Sequence, residues 1–133
     1  MEKPQMFGTR IFVPLELREQ MVELLNQQLA DTFDLYSQVK QAHWNVKGPH
    51  FAALHPLFET LADEAGERYD ELAERGVALG GLAIGSARQV AAASRLPELE
   101  AATTQERRLI EHLLAALGRH AEGLRAARAL AEE

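Results

Sequence analysis

A chain of 133 residues, 47% of them hydrophobic, can enclose one core of its own but not two. Its formal net charge of -6 excludes a body built to grip phosphate backbones, which takes an excess of Lys and Arg, and suits cations instead. With no cysteine there is neither a disulfide framework nor a thiolate site, so His, Asp and Glu are the strong metal ligands on offer.

The first residues, MEKPQMFGTR, lack the apolar core of a secretory signal. No apolar run approaches the roughly 20 residues needed to cross a bilayer. A soluble cytoplasmic protein with no membrane attachment is therefore expected. Residues 1–13 read as a short irregular tail. Pro14 then stands where a helix starts, because a first-turn proline gives up an N–H that has no intrahelical partner anyway. From there Leu17, Met21, Leu24, Phe33, Tyr36, Val39, Ala42 and Val46 recur mostly at three- and four-residue steps, predicting an amphipathic helix over 14–47.

Lys47-Gly48-Pro49 ends that helix, since glycine tolerates left-handed backbone and proline cannot continue a helix. A second helix is expected over 50–79, striped by Phe51, Leu54, Phe58, Leu61, Ala65, Leu72 and Ala73 and broken near Gly80-Gly81. Pro56 lies early in it, where a local kink can form. Residues 80–100 read as a connector with a short alanine-rich helix at Ser86 to Ala93, crossing between bundle layers. A third long helix, 101–132, carries Leu109, Ile110, Leu113, Leu117 and Leu124 along one side. The fold class is all-α, a four-helix bundle whose fourth core helix is absent from this chain and is either supplied by a neighbour or lost from the sequence.

The chemistry gathers around the first hairpin. His43 lies six residues before Pro49 and His55 six after it, so in an antiparallel pair of helices the two imidazoles stand at the same height. Along the second helix His55, Glu59, Asp70 and Glu74 fall within a sector of about 100°. They share a face but not a place: His55 and Asp70 are about 22 Å apart along a straight helix, and a metal holds its ligands at about 2 Å. Two chains resolve this if their second helices pack antiparallel about a twofold axis near Glu64 and Ala65. His55 and Glu59 of one then face Asp70 and Glu74 of the other, giving two identical sites. Mixed imidazole and carboxylate donors suit Fe(II), and also admit zinc or manganese.

Residues 25–59, LNQQLADTFDLYSQVKQAHWNVKGPHFAALHPLFE, and residues 70–81, DELAERGVALGG, resemble the Dps proteins, the DNA-protecting mini-ferritins of starved bacterial cells. The resemblance implies that His43 and His55, assisted by Glu59, bind iron from one subunit while Asp70 and Glu74 come from the twofold-related subunit. It also implies a ferritin-like four-helix bundle and a di-iron ferroxidase and iron store: a twelve-subunit homo-oligomeric shell that oxidises Fe(II), preferably with hydrogen peroxide, and keeps ferric mineral inside. Trp44 matches a family tryptophan beside that site, a trap for stray oxidising equivalents.

Three features depart from the family pattern. Glu59 stands where Asp is common, which leaves open whether it binds metal directly. The tail has only Lys3 and Arg10 as basic residues, so weak or no DNA binding is expected, with nucleoid association the variant that DNA binding would bring. The resemblance stops near Glu133, where the family continues into a last long helix, so a truncated sequence is expected and the cage depends on that helix. His50, His112 and His120 read as surface or packing residues, and Arg75 as a cation steadying carboxylates. Two readings compete with the ferroxidase: a DNA-compacting architectural protein, and a structural helical oligomer with a vestigial site.

Overall fold

The computed structural model describes residues 4–132 and is helical. Its elements are α1 (Leu15–Asn45), α2 (Phe51–Ala78), α3 (Ala87–Ala93) and α4 (Glu106–Ala131). Tail residues 1–3, Lys3 among them, and Glu133 lie outside the described part.

Helix α1 is the axis of the molecule: α2, α3 and α4 all pack against it. Its buried side is long because it serves several neighbours. Val22, Leu29, Ala30, Leu35, Val39 and Ala42 are buried along it, together with Gln28, Asp31, Thr32 and Gln38. The main core joins Leu35, Val39 and Ala42 to Phe58 and Ala62 of α2 and to Leu109, Leu113 and Ala116 of α4. Removing such apolar area from water stabilises the fold by about 25 cal/mol per Å2.

Local chemistry sets the helix ends. The Val46 N–H closes α1 on the Ala42 carbonyl at 3.0 Å, and Gly48, at φ 155, turns the chain toward α2. Gly80, at φ 91, ends α2. A Cβ there would meet the Phe7 carbonyl at 2.5 Å, because the amino-terminal segment returns here and the Phe7 N–H binds the Gly80 carbonyl at 2.6 Å. Pro56 is accommodated within α2.

The last long helix begins at Glu106, five residues beyond the expected start at 101. Thr103 and Thr104 are β-branched and favour extended backbone. The Lys47 N–H takes the Thr104 carbonyl at 2.8 Å, and the Glu106 N–H returns to the Lys47 carbonyl at 3.3 Å. This isolated bridge fastens the start of α4 beneath the α1–α2 turn. At the opposite side a groove of about 680 Å3 separates α2 from α4, lined by Leu25, Thr32, Leu72, Arg75, His120 and Leu124. Leu114 and Leu130 of α4 are exposed. Among the described residues, three long helices with an open groove are the observed form of the expected bundle.

Candidate metal centre

The last turn of α1 carries His43 and the first turns of α2 carry His55, and the short turn between the helices brings the rings together. Their centroids are 3.9 Å apart and their planes 17° from parallel. Phe51, one turn before His55, stacks on its other side at 4.9 Å and 21°. Each imidazole is fixed by the other's backbone: His43 Nδ1 donates to the His55 carbonyl at 2.6 Å, and His55 Nδ1 donates to the His43 carbonyl at 2.8 Å. A carbonyl oxygen can only accept, so the proton of each neutral ring sits on Nδ1 and Nε2 keeps its lone pair. Metal-binding histidines are commonly oriented in this way, by a second nitrogen donating to a carbonyl.

Glu59, one turn beyond His55, completes the group. Its Oε2 lies 2.6 Å from His43 Nε2, and its Oε1 accepts from Lys40 Nζ at 2.6 Å. The Lys40 ammonium, by hydrogen bond and charge, holds the Glu59 carboxyl below the usual range, with the two histidines adding to the effect. Glu59 in turn raises Lys40 above its ordinary value. A carboxylate offers only lone pairs, so its contact with His43 Nε2 is attractive only with a positive centre between them, either a second proton or a metal ion. Imidazole and carboxylate donors are a set that divalent iron, zinc or manganese accepts.

The remaining sequence-predicted residues lie elsewhere. Asp70 lines a recess with Tyr36, Asp63, Gly66, Glu67 and Tyr69, and Glu74 faces the α2–α4 groove. Both are exposed. Among the described residues of one chain, no three His, Asp or Glu side chains converge so as to hold an ion. Trp44 follows His43 but is 65% exposed. Arg75 makes no ion pair among the described residues and lines the groove instead.

Three histidines assigned above to surface or packing have specific surroundings. His50 Nδ1 lies 2.6 Å from Glu106 Oε1, and the His50 backbone N–H donates to Oε2 of the same carboxylate at 3.0 Å. His112 Nε2 pairs with Gln38 Oε1 at 2.6 Å. Burial holds His120 below the usual histidine range, against the pull of Asp31 and with help from the Arg95 charge. Asp31, which no sequence motif marks, is buried, and its carboxylate accepts from Arg95 Nη2 at 2.6 Å, Nε at 3.0 Å and backbone N–H at 2.9 Å. A hint is present, because an Asp between Ala30 and Thr32 on the buried stripe needs a partner, but nothing in the connector singles out Arg95.

Long helices packed around one central helix, with paired imidazoles and a carboxylate at one end of a hairpin, define a ferritin-like helical protein with a candidate cation site. The sequence matches the family of the ferritin-like domain over residues 22–133. It is 37% identical over 114 residues to the DNA protection during starvation protein of Agrobacterium fabrum, covering 86% of this chain and 68% of that one. Its fold is similar to DpsC from Streptomyces coelicolor, with TM-score 0.93, 29% identity and 99% of this chain on 77% of that one. It is likewise similar to the Dps homologue of Halobacterium salinarum, with TM-score 0.91, 32% identity and 99% of this chain on 74% of that one. The chain belongs to the ferritin-like family, as one of its Dps members. It spans 68%, 62% and 65% of three curated relatives, about two thirds of their length.

Proposed function

We propose that the chain is a ferroxidase and iron store, taking Fe(II) as substrate at a site shared by two copies and sequestering the ferric product. The observation that carries this reading is the reciprocal His43–His55 lock, which commits both Nδ1 atoms to backbone carbonyls and leaves Nε2 for a metal, with Glu59 beside it. One subunit supplies these donors. Asp70 and Glu74 are too far along α2 to join them in the same chain, about 22 Å for His55 to Asp70. Antiparallel packing of α2 about an axis near Glu64 and Ala65 would set His55 opposite Glu74 of the partner subunit, and Glu59 opposite Asp70 of the partner subunit.

At such a site two Fe(II) ions each give one electron to a peroxide, which takes up two protons and leaves as two waters while both irons become Fe(III). The side chains gather and orient the ions: the imidazoles bind Fe(II), and the carboxylates favour the product because Fe(III) prefers oxygen donors. Consuming peroxide and Fe(II) together protects a stressed cell from hydroxyl-radical damage. The proposed assembly is the homo-oligomeric twelve-subunit cage of the Dps family, in the cytoplasm. With Lys3 and Arg10 its only basic tail residues, the proposed DNA contact is weak or absent.

The test is anaerobic Fe(II) titration followed by peroxide, with ferric absorbance and particle mass recorded together. Wild type should form ferric iron rapidly and His43→Ala/His55→Ala should not. Asp70→Ala alone should be inactive, whereas mixed with His55→Ala it should regain part of the rate, because a mixed dimer keeps one intact site. Mixing that never restores activity rules out the shared site, and equally slow oxidation by wild type and the double histidine variant rules out the ferroxidase.

A further inference from the structure

The amino-terminal segment spends its backbone bonds on displaying one bare aromatic ring. Phe12 sits at the apex of a three-residue turn closed by the Val13 N–H on the Ile11 carbonyl at 3.0 Å, and the Ile11 N–H binds Thr9 Oγ1 at 3.3 Å. Thr9 Oγ1 in turn donates to the Ala78 carbonyl at 3.0 Å, and Arg18 gathers the Val13 and Leu79 carbonyls at 3.1 and 3.0 Å. The segment is thus tied to both α1 and the end of α2, yet Phe12 is fully exposed, and Ile11 and Leu15 beside it are exposed as well. Folded chains usually cover a ring of this size. An aromatic side chain already held in place loses little freedom on docking, which makes it an interface anchor.

Another face of α1 carries a groove that fits such an anchor. Leu17, Met21 and Leu24 of α1 and Leu130 and Ala131 of α4 line a recess of about 560 Å3, bordered by the exposed Glu23. The tail lies on a different side of α1, where Arg18, Val22 and Asn26 meet Leu79, Gly81 and Leu82 beyond α2. Each chain therefore bears a knob and a hole on separate faces.

We propose that Phe12 of one copy seats in the α1–α4 groove of the next, a head-to-tail contact that joins twofold pairs into the closed shell of the reading above, on which it rests. A twofold contact is used up once two copies have met, because each presents the same patch to the other. Growth beyond a pair takes a second contact between unlike patches, which closes into a ring when the rotation between copies allows it. The exposed Arg10, two residues before the ring, supplies a cation to match Glu23, and the unbranched Met21 adapts to the incoming aromatic edge. A second copy is the occupant because both halves of the contact, and both charges, are present on every chain.

The experiment measures particle mass by analytical ultracentrifugation on the full chain, with circular dichroism and peroxide-driven Fe(II) oxidation recorded on the same samples. Wild type should sediment as a particle of many copies. Phe12→Asp should stay helical and fall to pairs, a several-fold loss of mass, while oxidising Fe(II) at close to the wild-type rate, since the shared site needs two copies only. Its ferric product should precipitate in place of staying soluble. Phe12→Leu should keep the large particle, and Leu130→Asp, on the hole side, should match Phe12→Asp. Arg10→Glu should weaken the particle at low salt, and adding Glu23→Arg to it should restore the mass. A Phe12→Asp particle of wild-type mass overturns the knob and leaves the shell and the ferroxidase standing. Wild type no larger than a pair overturns knob and shell together, while rapid oxidation by that pair would keep the shared site.

Discussion

Two polar crossings fasten α1 to its neighbours, and they are built in opposite ways. At the Asp31–Arg95 crossing the carboxylate is saturated: both oxygens accept from Arg95, Oδ1 also accepts from Gln27 at 3.2 Å, and the side chain is 2% exposed. At the His43–His55 crossing each ring spends Nδ1 on a backbone carbonyl and turns Nε2 away from that lock, His43 Nε2 toward the exposed Glu59 carboxylate at 2.6 Å. A group whose hydrogen-bonding capacity is consumed within the chain is a structural tie. One that is rigidly aimed with capacity to spare is a ligand in waiting. The first crossing should therefore govern stability and the second chemistry.

The largest expected effect breaks the structural tie. Arg95→Ala leaves Asp31 buried and unpaired, which should cost about 3–5 kcal/mol in urea unfolding. The proposed peroxide-driven iron oxidation should be unchanged in the fraction that remains folded. A parallel collapse of activity per folded molecule would show that the two crossings act as one.

How legible each crossing was follows from its place in the chain. The helices and the hairpin are written in residues close together: the three- and four-residue apolar steps, Pro14, and Gly48-Pro49. His43 and His55 are also local in effect, because symmetry about a short turn sets their heights. Asp31 and Arg95 are 64 residues apart and meet only because the connector folds back on α1, which no periodicity encodes. The start of α4 is set at Glu106 rather than at 101 for the same reason, since Lys47 captures Thr104 from far along the chain. The partnership of Glu59 with Lys40, 19 residues apart in sequence, is equally unmarked, because it needs the lateral packing of two helices.

The next effect loosens the chemical end. Gly48 sits at φ 155, and a Cβ there would collide with the Glu106 carboxylate that holds His50. Gly48→Ala should cost about 1–3 kcal/mol through backbone strain and the displaced carboxylate. It should also slow the proposed iron oxidation, because the turn that sets the two imidazoles face to face is altered. Thermal unfolding and single-turnover absorbance measure the two effects separately. Lost stability with an unchanged rate would mean that the reciprocal carbonyl bonds hold the pair without help from the turn.

A smaller effect appears as pH dependence near the structural tie. His120 is held below its ordinary value of 6.5 by burial. The unfolded chain then takes up a proton that the folded one refuses, so stability is complete above 6.5 and falls as pH drops below it. His120→Gln should flatten that part of the melting-temperature profile. A slope that persists unchanged in the variant assigns it to another group.

The smallest effect lies at the chemical end and has its own signature. Glu59 is held below 4.5, so the stability it gains from Lys40 is present above 4.5 and is lost as pH falls through its lowered folded value. Lys40 is raised above 10.5, so its share is present below 10.5 and is lost as pH climbs through its raised value. Both groups are solvent-accessible, and ion pairs of that kind contribute little. The melting-temperature difference between wild type and Lys40→Met should accordingly be small and level between those limits, and should fade beyond each. High salt should shrink it further. The proposed iron oxidation should respond more than stability does, because without Lys40 the Glu59 carboxylate is released toward His43 and toward any metal held there. A variant that loses stability in place of altering the oxidation rate would make Lys40–Glu59 a structural tie like Asp31–Arg95, and the contrast between the two crossings would narrow to the imidazole pair alone.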